Sequence, residues 1–174
     1  LIPHNQQLAT AILQRIDELA SISEVTGATT RTFGTEAFIK GRSLVAQWMQ
    51  QAGLQTHIDN IGNVRGKLPC PAPAAKTLVI ASHIDSVFNA GKFDGPLGVL
   101  TGVALIEQLI EQEETLPFHI ELIAFSDEEG CRFHTTYLGS KVVAGSFDNN
   151  LLAKQDAAGT ALADVITAMG GHAN

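Results

Sequence analysis

The sequence predicts an α/β fold: a mixed, largely parallel sheet flanked by helices. Three observations carry this. Two short apolar runs, Leu78–Ala81 and Leu122–Phe125, flank a longer apolar segment with helical spacing. Strand, crossover helix and strand in that order form a βαβ unit, whose strands run parallel. A polar, Gly-containing turn at Asn60–Gly62 joins two further short extended stretches as a hairpin.

The elements follow in chain order. Asn5 to Ile22 reads as an amphipathic helix, with Leu8, Ile12, Ile16 and Leu19 at helical spacing. Thr26–Thr35 is a Gly/Thr-rich loop, and Glu36–Ala52 is a second helix that Gly53 terminates. Gln55–Asp59 and Asn63–Leu68 form the hairpin, and Pro69–Ala75 is a surface loop. Lys76–Ser82 is expected to be a buried strand. Leu97 to Gln112 is a helix with apolar residues nearly all round its first turns, so it should be well covered. Gly98 and Gly102, four apart, would permit close packing of that helix. Phe118–Phe125 is the second buried strand, and Tyr137–Gly145, Asn149–Ala153 and Thr160–Ala168 read as short helices.

Composition limits the function classes. Of 174 residues, 45% are apolar and 17% charged, which suits one globular domain. The apolar runs fall well short of the roughly 20 residues that cross a bilayer, so no membrane role is expected. The net charge of −7 argues against a nucleic-acid surface, which needs clustered Lys and Arg. Two cysteines, Cys70 and Cys131, make no disulfide framework, and a reduced cytoplasmic setting is expected. Cys131 lies beside an acidic motif but reads as filler, since no His or Asn partner is apparent for it.

The chemistry falls where the two predicted strands end. In open α/β sheets, ligands bind beyond the carboxyl ends of the strands. The first strand runs into Ser82-His83-Ile84-Asp85 and the second into Ser126-Asp127-Glu128-Glu129-Gly130. Parallel neighbours lie about 4.8 Å apart, so His83 and Glu129 can share a metal cluster. Phe93-Asp94-Gly95, just before the crossover helix, starts from the same edge. On extended backbone His83 and Asp85 point the same way, so Asp85 can hold the ring nitrogen that binds no metal. Asp94 has two oxygens and can bridge two ions. Glu128 and Glu129 are adjacent and diverge, so one can ligate while the other serves as general base. Singly, each motif would more often be a structural histidine or a solvated acidic turn; their shared edge is what points to metal. His57 and His119, on strands, are expected to be structural, and His4 and His172 to lie at the surface. His134 stands near the acidic motif and is a secondary candidate for touching substrate or metal.

Three segments resemble a known family: Ser82-His83-Ile84-Asp85-Ser86-Val87, Gly91-Lys92-Phe93-Asp94-Gly95-Pro96-Leu97-Gly98-Val99 and Asp127-Glu128-Glu129-Gly130-Cys131-Arg132-Phe133. They look like the M20 metallopeptidase-like amidohydrolases, in the N-carbamoyl-L-amino-acid hydrolase and allantoate amidohydrolase branch. The resemblance runs from Thr30-Arg31 through Gly139-Ser140 to the helix near Leu162–Ala168. It implies a zinc-exopeptidase-like catalytic domain with two divalent ions, Zn, Mn, Co or Ni. His83 would bind one ion, Asp94 would bridge both and Glu129 would bind the other. Glu128 would be the general base and Asp85 would orient His83. A small ureido or carbamoyl substrate would release ammonia and carbon dioxide, and the whole enzyme would be a homodimer. Residues 1–174 would then be the N-terminal part of the catalytic domain, without the lid and dimerisation domain or the remaining ligands. His172 sits near the place of one such ligand, but its surroundings differ. The chain alone is therefore expected to bind metal poorly and be inactive.

Two other readings compete. One is an aminopeptidase or aminoacylase of the same group, and the other is a non-catalytic truncated fragment. A Rossmann domain is disfavoured, because no Gly-x-Gly-x-x-Gly follows the first apolar strand.

Overall fold

The computed structural model describes residues 2–72 and 74–173, with side chains from residue 5 onward. Helix α1 spans Ile2–Ser21 and buries Ile16 and Leu19 completely, the C-terminal half of the predicted apolar stripe. Helix α2 spans Glu36–Gln51, and its N-cap Thr35 accepts the Phe38 N–H through its hydroxyl at 3.2 Å. Gly53 follows at φ 88°, the left-handed position at which the helix turns out. Strands β1 (Gln55–Ile58) and β2 (Val64–Leu68) pair antiparallel from Gln55↔Lys67 to Ile58↔Val64. The Asp59 carboxylate closes the hairpin by accepting the Asn63 N–H and its side-chain amide, each at 2.9 Å.

Strand β3 (Thr77–His83), helix α3 (Pro96–Glu111) and strand β4 (His119–Phe125) are the expected βαβ unit. β3 and β4 are parallel, from Thr77↔His119 to His83↔Phe125. β4 also pairs antiparallel with β2, so the mixed sheet has the order β1-β2-β4-β3, with its parallel pairing confined to one pair. A Cβ at Gly102 would stand 2.5 Å from Leu122, and one at Gly98 would stand 2.8 Å from Ser82. The two glycines thus let α3 lie directly on the sheet. Helix α4 (Leu138–Val143), a 3₁₀ turn over Asn149–Ala153 and helix α5 (Leu162–Ala168) complete the fold. No helix among the described residues is long and apolar enough to cross a membrane.

Two burial expectations are overturned. β3 is an edge strand, and Leu78 and Val79 are 48% and 52% exposed. β4 takes the central place because it pairs on both sides; an apolar run alone does not distinguish a central strand from an edge one. α3 is likewise covered only toward the sheet and α1, leaving Leu97, Leu105 and Ile110 exposed. The histidines divide. His119 is buried and accepts the Cys70 N–H at Nδ1 (2.9 Å), a structural part as expected, whereas His57 is exposed on β1. His172 is exposed, and the His4 side chain lies outside the described residues.

Candidate metal centre

The ends of β3 and β4 leave the sheet side by side. The ladder continues one step past β3, where the Ile84 N–H donates to the Phe125 carbonyl at 3.1 Å. Ser126 is then held from the β1–β2 turn: its N–H donates to Asn63 Oδ1 at 2.9 Å and its hydroxyl to the Ile61 carbonyl at 2.9 Å. The chain reverses through Asp127 at φ 48° and Gly130 at φ 66°, which throws Glu128 and Glu129 outward over the sheet edge.

The side chains named from the sequence meet there. One ligand atom each from His83, Glu128 and Glu129 lie within 4.8 Å of one another. Two donors on one zinc-type ion sit about 2.0–2.2 Å from it, hence up to about 4.4 Å apart. Small side-chain rotations close this gap. His83 Nε2 is 3.7 Å from Asp94 Oδ1 and 4.0 Å from Glu128 Oε2. Asp94 therefore stands next to the histidine, on an exposed loop and outside the three-residue group. Its neighbour Gly95 is required by the ring: a Cβ there would lie 2.6 Å from His83 Cε1 and Nδ1.

Asp85 has a different geometry from the one its spacing suggested. His83 Nδ1 lies 3.0 Å from the Asp85 main-chain carbonyl, while the Asp85 carboxylate is 3.7 Å away. The carbonyl can only accept, so Nδ1 is the donor and Nε2 is the nitrogen that faces Asp94 and Glu128. The buried carboxylate instead accepts the Glu128 N–H on Oδ1 (3.0 Å) and the Glu129 N–H on Oδ2 (3.1 Å). Asp85 thus orients the ring with its backbone and holds the glutamate turn with its side chain.

Negative charge is crowded here. Partial burial raises the Glu129 carboxyl, and Glu128, Asp85 and Asp94 raise it further against the pull of His83. Burial raises Asp85 despite its two N–H partners. Asp127, buried and then repelled by Asp85, is pushed up to about 8. One imidazole among several crowded carboxylates is a donor set that fits a divalent cation, which would relieve the repulsion. Burial likewise raises the Cys131 thiol, which keeps it protonated and suits a filler role. His134 is exposed and stands outside the cluster; its carbonyl accepts from Lys154 Nζ at 3.0 Å.

Sequence reasoning missed the residues that brace this loop. Lys154 Nζ also donates to the Phe133 carbonyl at 3.0 Å and to the Thr135 hydroxyl. Arg132 donates to Asp156 at 2.9 Å and to the Phe33 carbonyl at 3.0 Å. Arg31, buried behind Asp85, is a third. Its pairing in the Thr30-Arg31 motif was the one available signal, because the bonds that place it come from distant parts of the chain.

A mixed sheet with a His/Glu cluster at the carboxyl ends of its parallel strands defines a zinc-exopeptidase-like domain. Residues 63–171 match the family model of Peptidase family M28, and the chain belongs to that family. The chain is 39% identical over 154 residues to a probable allantoate deiminase of Oryza sativa subsp. japonica, covering 87% of this chain and 31% of the relative. It is 38% identical over 158 residues to an N-carbamoyl-L-amino acid amidohydrolase of Geobacillus stearothermophilus, covering 90% and 39%. A hydantoinase/carbamoylase family amidase from Burkholderia ambifaria superposes with a TM-score of 0.87 at 30% identity, over 94% of this chain and 41% of that one. The chain thus spans between about a third and two fifths of these proteins. The family model carries the M28 designation, and the relatives are the carbamoyl and allantoate hydrolases to which the motifs pointed.

Proposed function

We propose that this chain is the N-terminal part of the catalytic domain of a dinuclear metal-dependent hydrolase. Its substrate is the linear amide of a carbamoyl or ureido group, in an N-carbamoyl-L-amino acid or allantoate, and its products are ammonia, carbon dioxide and the amine freed of its carbamoyl group. The observation that carries the reading is the meeting of His83, Glu128 and Glu129 within 4.8 Å, beside Asp94, in a chain whose relatives bear those names.

His83 Nε2, Asp94 and Glu129 are the residues that would hold the ions, with Asp94 shared between them; Zn, Mn, Co and Ni all suit such donors. When bound, such ions polarise a carbonyl and lower the pKa of water. Glu128 takes the proton from the attacking water and passes it to the departing nitrogen. Asp85 keeps that carboxylate in place and fixes the His83 tautomer. Two ions need more donors than these three side chains supply, so the chain alone is inactive or nearly so. The whole enzyme is read as a cytoplasmic homodimer.

The test is the rate of substrate consumption by the protein that contains this chain, with ammonia measured alongside. N-carbamoyl amino acids, allantoate, N-acyl amino acids and dipeptides are compared side by side, with and without a chelator. Chelator-sensitive turnover of the first two is expected. The peptidase family model favours a second reading, an aminopeptidase. Faster cleavage of dipeptides would establish that reading and overturn the first.

A further inference from the structure

Arg31 is 1% exposed and, among the described residues, faces no carboxylate at ion-pair distance. Its guanidinium is satisfied by main-chain carbonyls instead: Ile84 (2.8 Å), Leu19 (2.8 Å) and Ile22 (3.1 Å). Its own backbone makes a two-way link to Ser86. The Arg31 N–H donates to the Ser86 hydroxyl at 2.9 Å, and the Ser86 N–H donates to the Arg31 carbonyl at 3.1 Å. Residues 84 and 86 are therefore both gripped by Arg31. Between them lies Asp85, whose two oxygens hold the Glu128 and Glu129 N–H groups. The fold makes room for this side chain: a Cβ at Gly41 of α2 would stand 2.8 Å from Arg31 Cδ. A buried guanidinium is a poor way to fill space, since desolvation of its charge is costly. What it supplies is a rigid planar fork of donors.

We propose that Arg31 is a positioning residue for the two glutamates, acting through the Ile84–Ser86 backbone and the Asp85 carboxylate. The proposal rests on the reading above for what the glutamates do, but its geometry needs no bound ion. The competing role is purely local: a cation capping the end of α1 through Leu19 and Ile22.

Residue-resolved amide hydrogen exchange on the metal-free 174-residue chain separates the two. Asp85→Asn should speed exchange at the Glu128 and Glu129 amides about tenfold or more, the effect of losing a charge-assisted bond. Arg31→Lys keeps the charge but loses the fork, and should speed the same two amides while leaving Leu122 and Ile123 of β4 unchanged. The double variant should exchange no faster at these amides than Asp85→Asn alone, because both changes act on one path. Acceleration confined to the end of α1, or additive effects in the double variant, would overturn the proposal. Should Arg31→Lys not fold, Ser86→Ala loosens the same segment with Arg31 intact; unchanged Glu128 and Glu129 amides would then refute it. A parallel Zn²⁺ titration of the wild-type chain reads the metal site separately, so failure of that site and failure of the Arg31 path are told apart.

Discussion

Replacing Gly95 by Ala tests whether the backbone before α3 is shaped by the histidine. Gly95 stands at φ 81°, ψ −66°, a region strained for any residue with a Cβ. Placing an L-residue at positive φ costs about 1–2 kcal/mol. The added methyl would also lie 2.6 Å from His83 Cε1, Nδ1 and the His83 carbonyl. The carbonyl belongs to the last residue of β3, paired with β4, so it cannot retreat freely. Overpacking of this kind adds roughly 1–3 kcal/mol. The sum, about 2–5 kcal/mol, is a large share of the ~5–15 kcal/mol that holds a domain together. For a chain of this size it corresponds to a fall in Tm of roughly 4–20 °C. Gly91 is the control in the same loop: its φ is not positive, and a Cβ there meets nothing within 4 Å. Gly91→Ala should change stability by no more than about 0.5 kcal/mol, or raise it slightly by restricting the unfolded chain. Urea unfolding followed by the single tryptophan, Trp48, measures both. If Gly95→Ala shifts the midpoint no more than Gly91→Ala, the coupling of this loop to the His83 ring is wrong.

Three further outcomes are expected. In the metal-loaded whole enzyme, Asp94→Ala should abolish tight metal binding, and unchanged metal content after dialysis would exclude the bridging role. Glu128→Gln should lower kcat by about 10²–10⁴ with metal content intact, as loss of a general base does; loss of metal would make Glu128 a ligand instead. Asp127 gives a pH dependence to the metal-free chain. Its carboxyl is raised from 3.8 to about 8, so its contribution is fully present below 3.8 and lost as pH rises toward 8. The decline is at most about 1.4 kcal/mol per pH unit. Asp127→Asn should flatten the stability profile across that window, and superimposable wild-type and variant profiles would rule this out.

What the sequence made legible was direction rather than environment. Apolar runs and helical spacing sufficed to bring His83 and Glu129 to one sheet edge, because parallel strands joined by a crossover must end on the same side. The same runs said nothing of which strand would be central, and β3 proved to be the edge. Spacing also gave the right partner for His83 but the wrong atom of it. An x-residue step places Asp85 beside the ring; only the turn at Asp127 and Gly130 brings the Glu128 and Glu129 N–H groups within reach of its carboxylate. Arg31 was least legible, since an arginine in a Gly/Thr-rich loop looks solvated until Ile84 and Leu19 arrive from 53 and 12 residues away. The residues proposed to react announced themselves by chemical type, whereas those that hold them are ordinary residues distinguished only by long-range bonds. Substitutions behind the cluster, at Arg31, Gly95 and Lys154, therefore test the site more sharply than further changes to the proposed ligands, because they leave the cluster's side chains intact and alter only where they stand.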